Sequence, residues 1–186
     1  MPVTALDPIT ALLVVDLQKG IVDYPLIHPA DEIVARANTL ARAFRDKGLP
    51  VVQIVVDGVA PGRTEQARRQ TQHAADWTDP IPTLDVASTD IRITKSNPGA
   101  FARTELEQRL RALGVTQVVI LGIATGGGVD STARQAYELG FNVTLATDAM
   151  TDASAENHEH SINKVFPRLG ERGTTAEIVA LVESLG

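Results

Sequence analysis

Short apolar runs alternate along this chain with segments of helical periodicity, and that alternation limits its possible folds more than any other feature. The apolar runs lie at 11–15, 51–56, 91–94, 117–121 and 142–146. Near-continuous apolar runs of this length are typical of strands buried on both faces. Their alternation with helices predicts an α/β protein in which a parallel sheet is covered by helices on both sides.

The segments between these runs carry helix signals. Residues 31–47 place Ile33, Ala37, Leu40, Ala41 and Phe44 on one helical face, and Gly48 ends the pattern. Further helices are predicted at 129–139 and 157–166, and a short strand near 168–172. Two capping boxes are predicted to begin helices, one at Thr104 with Glu107 and one at Thr174 with Glu177. Residues 57–88 are irregular, with a short helix expected at 64–74, and so long a loop is usually functional.

Composition excludes several classes of protein. The 186 residues suit one domain, which we place over 1–186. A formal net charge of -6 without a cluster of Lys and Arg argues against a nucleic-acid partner. The beginning of the chain shows no signal peptide, and no run reaches the roughly 20 apolar residues of a membrane span. We therefore expect a cytoplasmic protein with no membrane partner.

Polar residues and glycines stand where the predicted strands end. In an open α/β sheet, ligands bind beyond the carboxyl ends of the strands. These ends carry Asp16, Asp57, Lys95, Gly126 to Gly128 and Asp148. The sequence therefore predicts that they converge on one crevice.

Asp16 and Lys95 are the candidate titratable groups of that crevice. Burial would raise the pKa of the Asp16 carboxyl, whereas a neighbouring lysine would lower it. Lys95 could orient Asp16 or stabilise an oxyanion. The plainer alternatives are a loop aspartate and a lysine that faces solvent at a strand edge.

Three consecutive glycines, Gly126 to Gly128, stand between the fourth strand and a helix. Backbone N–H groups at a helix start form an anion or oxyanion site, and glycines permit close backbone approach. A tight turn would need only one glycine. A dinucleotide site is a rival interpretation, because Asp148 follows Gly128 by 20 residues, but the stretch is not GxGxxG and lies on the fourth strand. The four histidines show no metal-ligand spacing, so no metal or cofactor is predicted.

Three segments together resemble the isochorismatase and cysteine-hydrolase superfamily. They are LLVVDLQ at 12–18, ITKSNPGAFARTEL at 93–106 and GIATGGGVDSTARQAYELGFNVTLATDAMTD at 122–152. The resemblance implies a Rossmann-like three-layer fold, a catalytic Asp16 and an electrostatic partner in Lys95. It also implies a cis peptide at Ala124–Thr125 and places Gly128 where many members carry a nucleophilic cysteine. The substrate-binding set that it implies is Gln18, Val56, Asp57, Phe101, Thr125, Gly126 and Gly127.

The chain has no cysteine, and a thioester mechanism is therefore closed to it. Within the family, amidases need the thiol, whereas isochorismatases resemble this chain in having glycine at that position. The resemblance therefore implies a small-molecule hydrolase that cleaves a vinyl (enol-pyruvyl) ether, with Asp16 as general acid. Val56 stands where isochorismatases tend to have a substrate-contacting glutamine, so the substrate itself stays open.

Other interpretations remain. The chain could be a silent small-molecule-binding protein on a hydrolase scaffold, or an amidase-type member whose cysteine was substituted, by nature or by engineering. The family commonly forms homodimers or larger homo-oligomers, for which 57–88 and the C-terminal helix could supply contacts.

Overall fold

The protein was analysed as a computed structural model, which describes residues 2–65 and 73–186. Six parallel strands form one sheet in the order β3-β2-β1-β4-β5-β6. The strands are β1 (Thr10–Val15), β2 (Val51–Val56), β3 (Ile91–Lys95), β4 (Gln117–Ile123), β5 (Asn142–Thr151) and β6 (Glu171–Gly173). The predicted strands are confirmed, although β5 runs five residues further than expected.

Helices cover both faces of the sheet, as the alternation predicted. They are α1 (Lys19–Val22), α2 (Ala30–Asp46), α3 (Leu106–Ala112), α4 (Asp130–Glu138), α5 (Ala155–His160) and α6 (Thr175–Ser184). A π-helical turn, Thr125–Val129, precedes α4. A second π-helical turn, Ser161–Val165, and a 3-10 turn, Phe166–Arg168, extend α5. The short helix expected at 64–74 falls largely outside the described residues.

Alternate residues of β1 enter different cores, which explains why its whole run is apolar. Leu13 and Val15 pack into the core that includes α3 and α4. Leu12 and Val14 pack into the core that includes α2 and α6. Every residue of β1 is buried, as expected for a strand at the centre of a three-layer α/β fold.

One of the two predicted capping boxes forms. Thr174 accepts from the backbone of Glu177, whose side chain accepts from the backbone of Thr174, at the start of α6. The box at Thr104 was wrong. Its hydroxyl donates to the Ala100 carbonyl at 2.6 Å and accepts from Leu106 N at 3.3 Å, whereas the N-cap residue of α3 is Glu105.

The strand order sets the position of a crevice. The chain adds β2 and β3 on one side of β1 and then crosses to place β4 on the other side. Connections leave β1 and β4 in opposite directions, so a gap opens between their carboxyl ends. Within the described ranges, no helix is long and apolar enough to cross a membrane.

Candidate active site

A crevice of about 440 Å³ opens at the carboxyl ends of β1 to β4. It is lined by Asp16, Val56, Gly58, Val59, Ala60, Thr64, Lys95, Ser96, Asn97, Pro98 and Gly128. The crevice thus unites four segments that are far apart in sequence: the end of β1, the end of β2 with the loop after it, the end of β3 with the loop after it, and the glycine turn after β4. The sequence prediction of convergence is confirmed for Asp16, Lys95 and Gly128.

Asp16 and Lys95 form a buried ion pair on the floor of the crevice. Lys95 Nζ donates to Asp16 Oδ2 at 2.8 Å, and the two side chains are 1% and 7% exposed, lysine first. Asp16 has a φ of 55°, in the left-handed region, where the chain turns sharply out of β1. The tight turn directs its carboxyl back toward the ends of β3 and β4.

Burial and the lysine act on the Asp16 carboxyl in opposite directions. Desolvation is the larger effect and raises the pKa, while the charge and hydrogen bond of Lys95 lower it, and the result is a pKa of about 6. The group can therefore exist in both protonation states near neutral pH. It can donate a proton or accept one, as acid–base catalysis requires.

Only one oxygen of the Asp16 carboxyl has a hydrogen-bond partner in the described structure. Asp16 Oδ1 is buried and has no hydrogen-bond partner among residues 2–65 and 73–186. Buried carboxylate oxygens are usually satisfied, and an unsatisfied one calls for a specific explanation. In a crevice, an explanation is that Oδ1 is kept for a bound molecule.

Gly128 packs directly against this carboxyl. A Cβ at Gly128 would lie 2.9 Å from Asp16 Oδ2 and 3.1 Å from Val15 Cγ1. Either contact requires a neighbour to move, and Asp16 is held by Lys95. The close approach of backbone to carboxyl therefore depends on glycine at this position.

The other two glycines of the turn have different surroundings. The N–H of Gly126 donates to Asp152 Oδ2 at 2.7 Å, and a Cβ there would lie 3.1 Å from Asn157 Cβ. A Cβ at Gly127 would meet only Ala124 Cβ, at an ordinary 3.6 Å. Neither residue lines the crevice within the part of the chain that is described. The cis peptide lies at Ile123–Ala124, one residue before the predicted position.

Several residues expected to bind substrate serve the scaffold instead. Gln18 Nε2 donates to the carbonyls of Val56 and Trp77, and Gln18 Oε1 accepts from Val56 N at 2.7 Å, so its amide ties β1 to β2 and the following loop. Phe101 is buried and packs against Phe141 with ring centroids 5.7 Å apart. Of this group only Val56 lines the crevice.

Two aspartates expected at the crevice are not part of its described lining. The Asp57 residue is exposed, and its backbone N–H donates to the Lys95 carbonyl at 2.8 Å. Asp148 lies inside β5 because that strand continues to Thr151, and its carboxylate accepts from Thr175 N and Oγ1 at the start of α6. Asp148 therefore serves as a helix-capping group.

Thr125 supports the turn from behind. Its side chain is buried and forms a 2.8 Å hydrogen bond with His158 Nδ1. Burial lowers the pKa of His158, and the neighbouring His28, with its ring centroid 5.0 Å away, lowers it further. A neutral imidazole is thus favoured behind the glycine turn. No sequence pattern indicates this contact, because helical spacing alone does not say which turn a helix packs against.

Sequence reasoning also missed most of the crevice wall. Ser96, Asn97 and Pro98 line the crevice directly after Lys95. Another part of the lining comes from the irregular loop after β2, in which Val59 is 64% exposed. No hydrophobic periodicity or helix-capping pattern in the sequence of that loop distinguishes the lining residues from the others.

Comparisons with known proteins agree with this geometry. The isochorismatase domain model matches residues 10–177. The chain is 41% identical over 180 residues to an uncharacterized isochorismatase family protein, YecD, of Escherichia coli O157:H7, covering 91% of this chain and 94% of that protein. It is 37% identical over 181 residues to the similarly described YwoC of Bacillus subtilis (strain 168), covering 94% of each.

A solved structure is also closely similar. An isochorismatase family protein from Burkholderia thailandensis superposes with a TM-score of 0.93 at 34% identity, covering 97% of this chain and 98% of that one. The six-stranded parallel sheet with helices on both faces is therefore the isochorismatase-like fold. The chain belongs to the isochorismatase family.

Proposed function

We propose that this protein is a hydrolase that works without a cysteine nucleophile and cleaves a small vinyl (enol-pyruvyl) ether. The observation that carries the proposal is the Asp16 carboxyl, which is buried, has a pKa of about 6 and keeps one oxygen unpartnered at the crevice. These are the properties of a general acid that works near neutral pH.

Asp16 supplies the proton in the proposed reaction. Because Oδ2 is held by Lys95, the proton is assigned to Oδ1. It transfers to the terminal carbon of the vinyl group, forming a C–H bond and leaving an oxocarbenium ion. Water adds to that cation and returns a proton to Asp16. The resulting hemiketal then breaks its C–O bond to release pyruvate and an alcohol.

Lys95 stabilises the state of Asp16 that follows proton transfer. Once the carboxyl is ionised, the ammonium 2.8 Å from Oδ2 offsets the cost of a buried negative charge. Without the lysine, burial would hold the proton too tightly for transfer. The pair therefore sets the acidity of the donor, while Oδ1 performs the chemistry.

The position of Gly128 supports a thiol-free mechanism over amide hydrolysis. The family resemblance aligns Gly128 with the nucleophilic cysteine of other members, and the chain has no cysteine to replace it. A side chain at Gly128 would also press against the Asp16 carboxyl, at 2.9 Å from its Oδ2. The crevice is built around a backbone at this position, so we assign its reaction to the acid alone.

The crevice suits a compact polar substrate. Its volume of about 440 Å³ lies within the range of small-molecule sites. Ser96 and Asn97 add polar groups to the lining, and Val56 and Val59 add apolar contact. This lining favours a substrate that carries both hydroxyl or carboxyl groups and a hydrocarbon portion.

The test is direct product detection. Isochorismate, other enol-pyruvyl ethers and a set of small amides are incubated with the protein, and products are measured by mass spectrometry and by a coupled pyruvate assay. Pyruvate release by wild type that is lost in Asp16→Asn supports the proposal. Asp57→Asn is the matched control, because that carboxylate lies at the neighbouring strand end and is exposed.

The absence of a nucleophile favours one other candidate, a protein that binds a small molecule without turnover. It predicts that a panel compound raises the melting temperature, since a ligand that binds only the folded state stabilises it. No product from any compound, or pyruvate release that Asp16→Asn leaves unchanged, would sink the hydrolase proposal.

A further inference from the structure

A second cleft, remote from Asp16 in the sequence, lies where α4 meets the turns that extend α5. Its volume is about 780 Å³, and four basic residues line it: Arg134, His160, Lys164 and Arg168. We call this the basic cleft. No acidic side chain is among its described lining residues. Such a concentration of positive charge is unexpected on a chain whose formal net charge is -6.

The spacing of these residues sets them apart from other charges on the molecule. His160, Lys164 and Arg168 follow one another at intervals of four, and all three line the same cleft. Like charges at this spacing repel each other on a helical surface. Elsewhere in the described ranges, the ion pairs at this spacing join opposite charges, as in Arg36–Glu32, Arg109–Glu105 and Arg111–Glu107.

Internal partners neutralise only part of the cleft. Arg134 is paired with Asp130, whose other carboxylate oxygen accepts from Ser161 Oγ at 2.9 Å. Among residues 2–65 and 73–186, no salt bridge joins the side chain of Lys164 or Arg168 to an acid. These two cations therefore face the cleft with donors that are available to a ligand.

The remaining lining gives the cleft a partly apolar wall. Tyr137 is 53% exposed, and Val165 and Leu169 lie beside it. A wide cleft with an aromatic wall and two unpaired cations fits a molecule that carries several negative charges on a compact frame. We propose that the basic cleft binds a small multivalent anion, a phosphate-bearing compound or a polycarboxylate, at a site separate from the catalytic crevice.

The proposal is tested by calorimetric titration with inorganic pyrophosphate and, separately, with citrate at low ionic strength. Wild type is expected to bind one of them with one-to-one stoichiometry, and salt should weaken the binding. Tighter binding of pyrophosphate identifies phosphate as the recognised group, and tighter binding of citrate identifies carboxylates. The double variant Lys164→Gln/Arg168→Gln should bind about tenfold more weakly or worse, because it loses two charged donors.

The control is Arg42→Gln/Arg92→Gln, which removes the same charge from α2 and from edge strand β3. It should change the affinity by less than about twofold, since neither residue lines the cleft and a Coulomb interaction weakens with distance. Melting without anion serves as a folding check, and the cleft variant should melt no lower than wild type because it loses a like-charge repulsion. The proposal fails if neither anion binds, or if the control weakens binding as much as the cleft variant. It fails equally if sedimentation shows that Lys164 and Arg168 hold a second copy of the chain in place of an anion.

Discussion

Two buried aspartates, each paired with a cation, have opposite hydrogen-bonding environments. Asp90 lies at the amino end of β3, where both of its oxygens accept from Arg45, and Oδ2 also accepts from Gln53 and from the backbone of Ala87. Asp16 lies at the carboxyl end of β1, where Oδ2 accepts from Lys95 and Oδ1 has no partner in the described structure. Burial and an ion pair are common to both, so neither property identifies a catalytic group.

The number of bonds that each carboxyl receives separates a structural aspartate from a reactive one. A carboxylate that accepts several hydrogen bonds is held ionised and in place. A carboxyl with a single hydrogen-bond partner in a desolvated site has a pKa nearer neutrality. Its second oxygen can then contact a substrate. The comparison therefore predicts large effects on turnover at Asp16 and effects on folding at Asp90.

The largest effect is expected from Asp16→Asn. Removal of a general acid typically costs about 10²- to 10⁴-fold in rate, and the amide cannot replace the proton. We expect kcat/KM for the substrate found in the product screen to fall by about that factor. For Asp90→Asn, kcat/KM should stay within about threefold of the wild-type value. The rate is normalised to the concentration of folded protein, which is measured without reference to activity. Equal losses in both variants would contradict the distinction.

The next effect is on the pH dependence of folding. Because the folded-state pKa of Asp16 is about 6, above its ordinary 3.8, the folded protein binds more protons than the unfolded chain between these values. The resulting stabilisation is complete below pH 3.8 and is lost as pH rises through 6. A shift of this size corresponds to about 3 kcal/mol.

Urea unfolding of wild type and Asp16→Asn across this pH range measures the contribution of Asp16 protonation to the free energy of unfolding. The free energy of unfolding of wild type should fall relative to the variant as pH rises, by about 3 kcal/mol at most. If Asp16 donates a proton, kcat/KM should fall as pH rises through about 6. A rise in kcat/KM would instead make Asp16 a general base.

A smaller effect on stability is expected from Asp90→Asn. The substitution leaves Arg45, which is 18% exposed, without the carboxylate that accepts from its Nε and Nη2. We expect a loss of about 2–3 kcal/mol in unfolding free energy, somewhat below that of a fully buried pair, because Arg45 keeps Asp85. Arg42→Gln removes the neighbouring exposed pair with Asp85 and should cost less than about 1 kcal/mol.

The smallest effects distinguish two adjacent glycines. Gly128→Ala displaces the Asp16 carboxyl, because the new Cβ would lie 2.9 Å from Oδ2, and it should lower kcat/KM about tenfold. Gly127→Ala makes only an ordinary contact with Ala124 Cβ, at 3.6 Å, and should raise stability by about 0.5 kcal/mol through the better helix propensity of alanine. Indistinguishable kinetics for the two variants would show that the backbone approach at Gly128 is not needed.

Local sequence patterns predicted the elements of the fold well. The face of α2, the strand ends at Asp16 and Lys95, and the capping box at Thr174 follow from periodicity and from residues within four positions of one another. The prediction was wrong where a side chain had a choice of partners. Thr104 has the residue type of a helix cap, yet its hydroxyl bonds the carbonyl of Ala100.

The binding residues show the same limit. Gln18 follows Asp16 by two residues in the sequence, but its amide bonds the backbone N–H and carbonyl of Val56. Ser96 and Asn97 line the crevice although no pattern marks them. Proximity in sequence therefore locates the crevice and does not select its lining.

The sequence by itself determined that this chain forms a parallel sheet between helices, that Asp16, Lys95 and Gly128 stand at strand ends, and that no thiol is available. These properties depend on residue type and on the spacing of residues close together in the sequence. Only the tertiary structure decided that Lys95 donates to one oxygen of Asp16, that the other oxygen has no hydrogen-bond partner in the described structure, and that Gly128 packs against this carboxyl. Those contacts join residues from 16 to 128, and their geometry depends on how β1, β3 and β4 pack together.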